Sequence, residues 1–250
     1  MEKAIIPFEK VPQLAKTDIA YATGDKLLKP FYQYEPELKS FKEALENRKG
    51  TICPRSDLVE VLEAQYAHLP RQTPVIENIE ALRNADTYTV TTAHQPSLFL
   101  GPLYFLYKAL TTINLAEAVR ESLGHHIVPV FVLGSEDHDL EELNSIHLYN
   151  KELIWTTDQR GAVGSMSTSD LLPMLDEIKG ILGESEQAKA LYTRVENAYT
   201  KGKTIADATQ AMLHELFGSY GLVVLNMNDV RLKKHFVPLI KAELLEQAAF

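Results

Sequence analysis

The chain has 250 residues, 45% of them hydrophobic and 24% charged, which is enough apolar material for one substantial core. Its formal net charge of −9 argues against broad binding to nucleic acids or anionic membranes, because both need a positive field. The single cysteine, Cys53, excludes an intramolecular disulfide framework and a Cys-rich zinc module. No signal-peptide pattern and no run of about 18 apolar residues is visible, so we expect a cytoplasmic protein without a membrane span.

The first elements in chain order are two helices and a strand. Residues 37–48 have an amphipathic helical pattern that Gly50 would end. A second helix is expected from Ser56, as its N-cap, to a point near Pro70. Alternating apolar and Thr residues over 87–92 then predict a strand.

The clearest predicted element is a long helix that follows Pro102. Apolar residues recur there at three- and four-residue spacing, and Gly124 is well placed to end the helix. The residues expected on its buried face are Leu103, Leu106, Leu110, Ile113, Ala116 and Leu123.

A continuously apolar run over 128–133 predicts a strand covered on both faces, with Pro129 tolerated only near its start. Together with the strand at 87–92 and the helix between them, this run forms a βαβ unit. The sequence therefore predicts the α/β class, with a Rossmann-like parallel sheet flanked by helices and built from one core over residues 1–250.

The segment 145–204 is expected to be an insertion in this core. It combines a predicted hairpin over 145–157 with two predicted helices near 170–182 and 186–200.

After the insertion, a helix over 205–220 and a third buried strand over 222–225 are predicted. A last helix follows, with a kink at Pro238. Residues 246–250 end on an apolar side chain without a cap or polar tail, so we expect more protein to follow.

Two clusters of polar and turn-forming residues follow predicted strands directly. The first extends from Thr92 to Pro102, and the second covers Gly134 to Asp139. Because ligands bind at the carboxyl ends of the strands in open α/β sheets, both loops are expected to line one crevice.

The first loop has features of an anion site, because a helix begins where it ends. A helix N-terminus contributes only about 0.3–1 kcal/mol to a bound anion, so His94 and Lys108 would have to add to it. Gly101 would allow the backbone to approach a ligand closely. An ordinary turn followed by a helix start is the alternative. The candidate substrate- or nucleotide-binding residues are His94, Gln95, Gly101, Pro102, Tyr104 and Lys108 and, after the third strand, Asn226 and Asp229.

The second loop places three acids around an imidazole, which requires a cation, a hydrogen-bond network or a positive substrate group to offset the repulsion. Such a cluster suits proton transfer. The candidate catalytic residues are Glu136, Asp137, His138 and Asp139. A solvated turn that caps the next segment is one alternative and a metal site is another. Without an HExxH motif or a spaced His pair, no metal is assigned, and no Walker or GxGxxG loop is present.

Three stretches carry a resemblance to a known family. They read HQPSLFLGPLYFLYKALTTINLAE from His94, VPVFVLGSEDHDLEELNSIHL from Val128 and GLVVLNMND from Gly221. In them the chain resembles the cysteine-adding enzymes of bacillithiol biosynthesis, the BshC family of cysteine ligases, over most of residues 50–245. Many members have Gly-Gln-Gln where this chain has Ala-His-Gln at 93–95.

The resemblance implies a Rossmann-like core with inserted segments, as in class I aminoacyl-tRNA synthetases, and a C-terminal coiled coil that makes the full-length protein a homodimer. It also implies an enzyme that joins the carboxyl of cysteine to the amine of glucosaminyl-malate, using ATP or another activating nucleotide. The first loop would then hold negative charge, and residues 136–139 would receive and deprotonate the amine. This chain is roughly half the usual length, so we expect it to be inactive alone. The alternatives are a non-catalytic nucleotide- or sugar-binding domain and a metal-dependent hydrolase.

Overall fold

The structure is a computed structural model that describes residues 4–201 and 203–246. The chain divides into two compact units, Met1–Thr51 and Ile52–Phe250. The part of the last helix predicted beyond residue 246 lies outside the described residues.

The first unit contains two α-helices within its described part, α1 (Lys16–Thr23) and α2 (Ser40–Arg48). The helix predicted over 37–48 is confirmed as α2, although it begins three residues later. Helix α1 was not predicted, since its few apolar residues form no stripe and none of them is buried.

The second unit contains the sheet and most of the helices. Its elements in chain order are α3 (Arg55–Tyr66), α4 (Thr73–Ala81), β1 (Thr87–His94), α5 (Leu103–Leu123), β2 (His126–Leu133), α6 (Leu140–Leu143), β3 (Ser145–Leu148), β4 (Lys151–Ile154), α7 (Leu172–Leu182), α8 (Glu186–Lys201), α9 (Ile205–Phe217), β5 (Val223–Asn226), α10 (Val230–Lys233) and α11 (Val237–Glu246).

The sheet has three strands within the described residues, in the order β1-β2-β5, and both pairings are parallel. In the register, His94 of β1 lies beside Leu133 of β2, and Leu133 lies beside Asn226 of β5. The three carboxyl ends therefore stop at the same level. This arrangement confirms the predicted α/β class with a Rossmann-like parallel sheet flanked by helices.

Helices cover both faces of the central strand, which explains why its sequence is continuously apolar. Phe131 and Leu133 point into a core shared with α5, α7, α8 and α9. Val128 and Val130 point the opposite way, into a second core formed with α3 and α4. Because successive side chains of a strand alternate between its faces, a strand buried on both sides needs an apolar residue at every position.

Strands β3 and β4 form a separate antiparallel pair, which confirms the predicted hairpin. Its turn contains Tyr149 with a positive φ of 54°. Helices α7 and α8 confirm the two helices predicted after the hairpin. That 145–204 is an insertion stays a prediction.

The predicted buried face of α5 is only partly right. Ile113 and Ala116 are buried as expected, whereas Leu103 is 62% exposed and Leu110 39% exposed. Ala109 and Ala116 are fully buried, because small side chains let the helix approach the sheet closely. The residues that α5 buries are Phe105, Ala109, Thr112, Ile113, Ala116 and Val119.

Two smaller predictions about proline and capping are also wrong. Pro129 is the fourth residue of β2 rather than lying at its start, and it is tolerated because β5 pairs only from Val130 onward. The N-cap of α3 is Pro54, while the Ser56 hydroxyl bonds Glu60 instead.

The last predicted helix is present in the described residues and is irregular near Pro238, as expected. A 3-10 turn over Lys234–Phe236 joins α10 to α11 directly before Pro238.

Candidate functional site

Backbone hydrogen bonds join the three strand ends at the carboxyl edge of the sheet. The amide of Gly134 donates to the His94 carbonyl at 2.9 Å, and the amide of Met227 donates to the Leu133 carbonyl at 3.2 Å. The two loops named by the sequence therefore meet at one edge, as the βαβ topology requires.

A side-chain contact also links these loops. The amide Nε2 of Gln95, in the first loop, donates to Glu142 Oε2 at 3.3 Å, in the short helix α6 that follows the second loop. Gln95 thus bridges the two parts of the candidate site.

His94 is the most connected side chain of the first loop. Its Nδ1 lies 3.0 Å from the Gln95 carbonyl and 3.3 Å from the Ser97 hydroxyl, and its Nε2 lies 3.0 Å from the Tyr104 hydroxyl. A carbonyl can only accept, so Nδ1 carries a proton, and in the neutral ring Nε2 accepts from Tyr104. Tyr104 is 50% exposed, so the pair lies next to solvent.

Lys108 brings a cation to the same edge from the second turn of α5. Its ammonium donates to the carbonyl of Ala93 at 2.8 Å, beside the end of β1. An ammonium has three donors, so this bond fixes its position and leaves donors for a ligand. Tyr104 and Lys108, which could face a ligand or be an ordinary surface pair, both contact the end of β1 in the structure.

The left-handed backbone conformations of the first loop lie at residues 99–100, not at Gly101. Gly101 has an extended φ of −82°, and a Cβ there would make only an ordinary contact, 3.6 Å from the Leu98 carbonyl. Phe99 and Leu100 have φ of 52° and 60°, which costs non-glycine residues about 1–2 kcal/mol each. That Gly101 lets the backbone approach a ligand closely stays a prediction. Pro102 caps α5 directly after it.

The second loop is folded on itself by its own carboxylates. Asp137 Oδ1 accepts from the Asp139 amide at 2.9 Å, and Asp139 Oδ1 accepts from the Glu142 amide at 3.3 Å as the N-cap of α6. Glu136 and His138 have exposed side chains. The capping role that the sequence left open is thus present for Asp139, while each carboxylate keeps an oxygen that these bonds do not use.

The same loop packs against residues that sequence reasoning did not find. Ser135 is 1% exposed, and its hydroxyl has no hydrogen-bond partner among the described residues. Gly164 covers it, since the Gly164 amide donates to the Ser135 carbonyl at 3.2 Å and the preceding Val163 amide donates to the Asp137 carbonyl at 2.7 Å. Nothing in the sequence around Gly164 indicates this contact.

The third strand end is clamped by Gln65, whose amide group both donates to the Asn226 carbonyl at 2.9 Å and accepts from the Asn226 amide at 3.0 Å. Asp229, predicted to bind ligand, caps α10 and pairs with the Arg231 guanidinium at 2.7 Å. Hydrogen bonds from Arg231 lower the pKa of Asp229 below its ordinary value. Asp229 is therefore engaged locally.

Lys233, at the end of α10, is a cation of the site that the sequence did not single out. Its ammonium lies 3.8 Å from Glu136 Oε1, in the second loop. Helix α10, which follows the third strand, thus places a cation near the acidic cluster. Lys233 offsets part of the negative charge of residues 136–139.

A cavity of about 750 Å³ lies elsewhere, between α8, α9 and residues 68–72. We place the candidate site at the sheet edge nevertheless, because charged and hydrogen-bonding groups from three strand ends converge there and not in that cavity. Among residues 4–201 and 203–246, no group of three His, Cys, Asp or Glu side chains is arranged to hold a metal ion. Within the same residues, no helix has the length and apolar character needed to cross a bilayer.

The parallel order β1-β2-β5, with polar loops gathered at its carboxyl edge, defines a Rossmann-like α/β domain. The family model described as "Bacillithiol biosynthesis BshC, N-terminal Rossmann-like domain" matches residues 1–250. The chain belongs to this family.

Curated relatives agree with this assignment. The "Putative cysteine ligase BshC" of Flavobacterium psychrophilum is 37% identical over 246 residues, 97% of this chain and 46% of the relative. The protein of the same name from Cytophaga hutchinsonii is 37% identical over 238 residues, 95% of this chain and 44% of the relative. The protein of that name from Bacillus cereus strain Q1 is 28% identical over 229 residues, 88% of this chain and 43% of the relative. The chain thus spans about half the length of the curated relatives it matches.

Proposed function

We propose that this chain provides the Rossmann-like part of a cysteine ligase of bacillithiol biosynthesis, which adds cysteine to glucosaminyl-malate by forming an amide bond. The observation that carries the proposal is the meeting of a cationic, hydrogen-bond-donating loop with an acidic loop at one sheet edge. Family membership and the printed names of the relatives support it.

The first loop is assigned to the negative charge of the acyl donor. A bound ATP or another activating nucleotide would supply the phosphoryl group that makes the carboxyl of cysteine a good acyl donor. Lys108 and the first amides of α5 would bind and orient that charge, since each presents donors beside the end of β1, with the hydrogen-bonded Tyr104–His94 pair next to them. Several such donors are needed, because one helix end contributes only about 0.3–1 kcal/mol.

The second loop is assigned to the amine of the acceptor. An ammonium group must lose a proton before its nitrogen attacks the acyl carbon, and a nearby carboxylate or imidazole can take that proton. Asp137 is half-buried and Glu136 and His138 are exposed, so all three are accessible to an amine. Asp139 would position the loop by capping α6.

Titration calorimetry of the purified protein with glucosaminyl-malate tests the amine side. Asp137→Asn keeps the oxygen that accepts from the Asp139 amide but removes the charge, so we expect binding at least about tenfold weaker, about 1.4 kcal/mol. Asp25→Asn is the matched control, because Asp25 accepts from the Leu27 amide at 3.0 Å in the same local geometry. Equal affinity of the Asp137 variant and wild type would contradict the assignment.

The same titrations separate the alternatives. Tight divalent-metal binding that Asp137→Asn abolishes, without affinity for the amine, would favour a metal-dependent hydrolase. Nucleotide binding without turnover, in a protein of the same length as the relatives, would favour a non-catalytic nucleotide-binding domain.

The nucleotide side is tested with ATP. Lys108→Met is expected to weaken ATP binding about tenfold and to lower its salt dependence, because one cation is lost. Lys189→Met, which removes an exposed lysine of α8 paired with Glu184, should leave both quantities unchanged.

The 250-residue chain alone is expected to form no thiol product, and measurable product would contradict that expectation.

A further inference from the structure

A buried phenol in α8 holds the backbone of the first loop. The hydroxyl of Tyr199 accepts from the Phe99 amide at 2.6 Å, and the two rings lie 4.5 Å apart between centroids. Tyr199 is 1% exposed, although its side chain comes from 100 residues further along the chain.

The same hydroxyl continues into α9. Tyr199 has a side-chain hydrogen bond with Thr209, and the Thr209 hydroxyl donates to the Ile205 carbonyl at 2.8 Å. Burial raises the pKa of Tyr199, so the phenol stays neutral, accepts from the Phe99 amide and has Thr209 as a second hydrogen-bond partner. The loop is thereby anchored to two helices that pack on the sheet.

The anchored residues have the backbone conformation that most needs an external partner. Phe99 and Leu100 both lie in the left-handed region, which residues other than glycine, asparagine and aspartate seldom adopt. Such residues persist where the surrounding structure fixes them, and they concentrate at ligand-binding segments. Here the fixed segment joins His94 to the start of α5.

We propose that Tyr199 is a positioning residue, which sets residues 97–101 so that the end of β1 and the start of α5 face one anion. This inference rests on the proposed function of the first loop. Tyr199 itself does not touch the ligand, since the loop lies between them.

Tyr199→Phe tests the inference, with Tyr66→Phe as the matched control. Tyr66 is a half-buried tyrosine whose hydroxyl also accepts from a backbone amide at 2.6 Å, but from Val224 in β5. Both variants lose one acceptor of a backbone amide, so a purely structural role predicts similar losses of global stability and no difference at the loop.

Two measurements on the folded variants decide whether Tyr199 positions the loop. Hydrogen–deuterium exchange at residues 97–101 should be at least about tenfold faster in Tyr199→Phe and unchanged in Tyr66→Phe. Inorganic tripolyphosphate should bind about tenfold more weakly to Tyr199→Phe than to Tyr66→Phe. Unchanged exchange at 97–101 in Tyr199→Phe would overturn the inference, as would equal tripolyphosphate affinities of the two variants. If wild type binds no tripolyphosphate at all, the anion role fails and Tyr199 is a structural anchor only, whatever the exchange shows.

Discussion

Gly164→Ala probes the packing that supports the acidic loop. A Cβ at Gly164 would lie 2.7 Å from both the Cα and the carbonyl oxygen of Ser135, and closer still to its Cβ. Ordinary contacts begin near 3.4 Å, so the two segments must separate by about 0.7 Å or more. Two of the three atoms are backbone, so no rotamer change of Ser135 can relieve the clash.

Overpacking of this kind costs about 1–3 kcal/mol. In a chain of this size, each kcal/mol lowers the melting temperature by about 2–4 °C. The displacement would also be felt in the site, because the Gly134 amide next to Ser135 bonds the His94 carbonyl. We therefore expect a lower free energy of unfolding in urea and a weaker affinity for the amine substrate.

Gly180→Ala is the control for the loss of a glycine. Gly180 lies in α7 with nothing within 4 Å of a built Cβ, so alanine there should raise stability by about 0.5–1 kcal/mol. Adding Ser135→Gly to Gly164→Ala removes one of the three close atoms and should recover part of the loss. If Gly164→Ala is as stable as wild type, the packing described for this loop is wrong.

Two further predictions concern buried polar groups. Asn78 is buried, donates to the Gly221 carbonyl at 2.7 Å and lies 2.9 Å from His126 Nε2, so Asn78→Ala should lower the free energy of unfolding by about 1–3 kcal/mol in urea titrations, and no loss would show these bonds to be unimportant. Arg231 lowers the pKa of Asp229, so the carboxylate stabilises the fold above its ordinary pKa and this stabilisation is lost as pH falls through the lowered value. Asp229→Asn should thus cost stability at pH 7 and progressively less below about pH 4, whereas a pH-independent cost would contradict the linkage.

The sequence predicted those parts of the fold whose signal is long and local. The apolar run of β2 and the periodic helix α5 each have enough residues for the pattern to exclude alternatives, and their order along the chain implies that both loops meet at one edge. Helix α4 was not predicted, although Val75, Ile79 and Leu82 are spaced as a buried helical stripe.

The parts that the sequence did not reveal depend on tertiary contacts. Leucine spacing on α5 fits more than one face, and only packing against the sheet selects the face that carries Ala109 and Ala116. The left-handed residues at 99–100 were not predicted, because the partner of the Phe99 amide is a phenol 100 residues away along the chain. No local pattern encodes such a partner.

The supports of the two loops identify which part of the chain the site depends on. Residues 163–164 cover the acidic loop, and Tyr199 anchors the first loop, so both supports come from the segment 145–204. The sheet places the strand ends by backbone pairing, but the loop conformations beyond those ends are fixed from this segment. Substitutions at these two supports should therefore lower ligand affinity as well as stability, although neither support comes from a strand of the sheet.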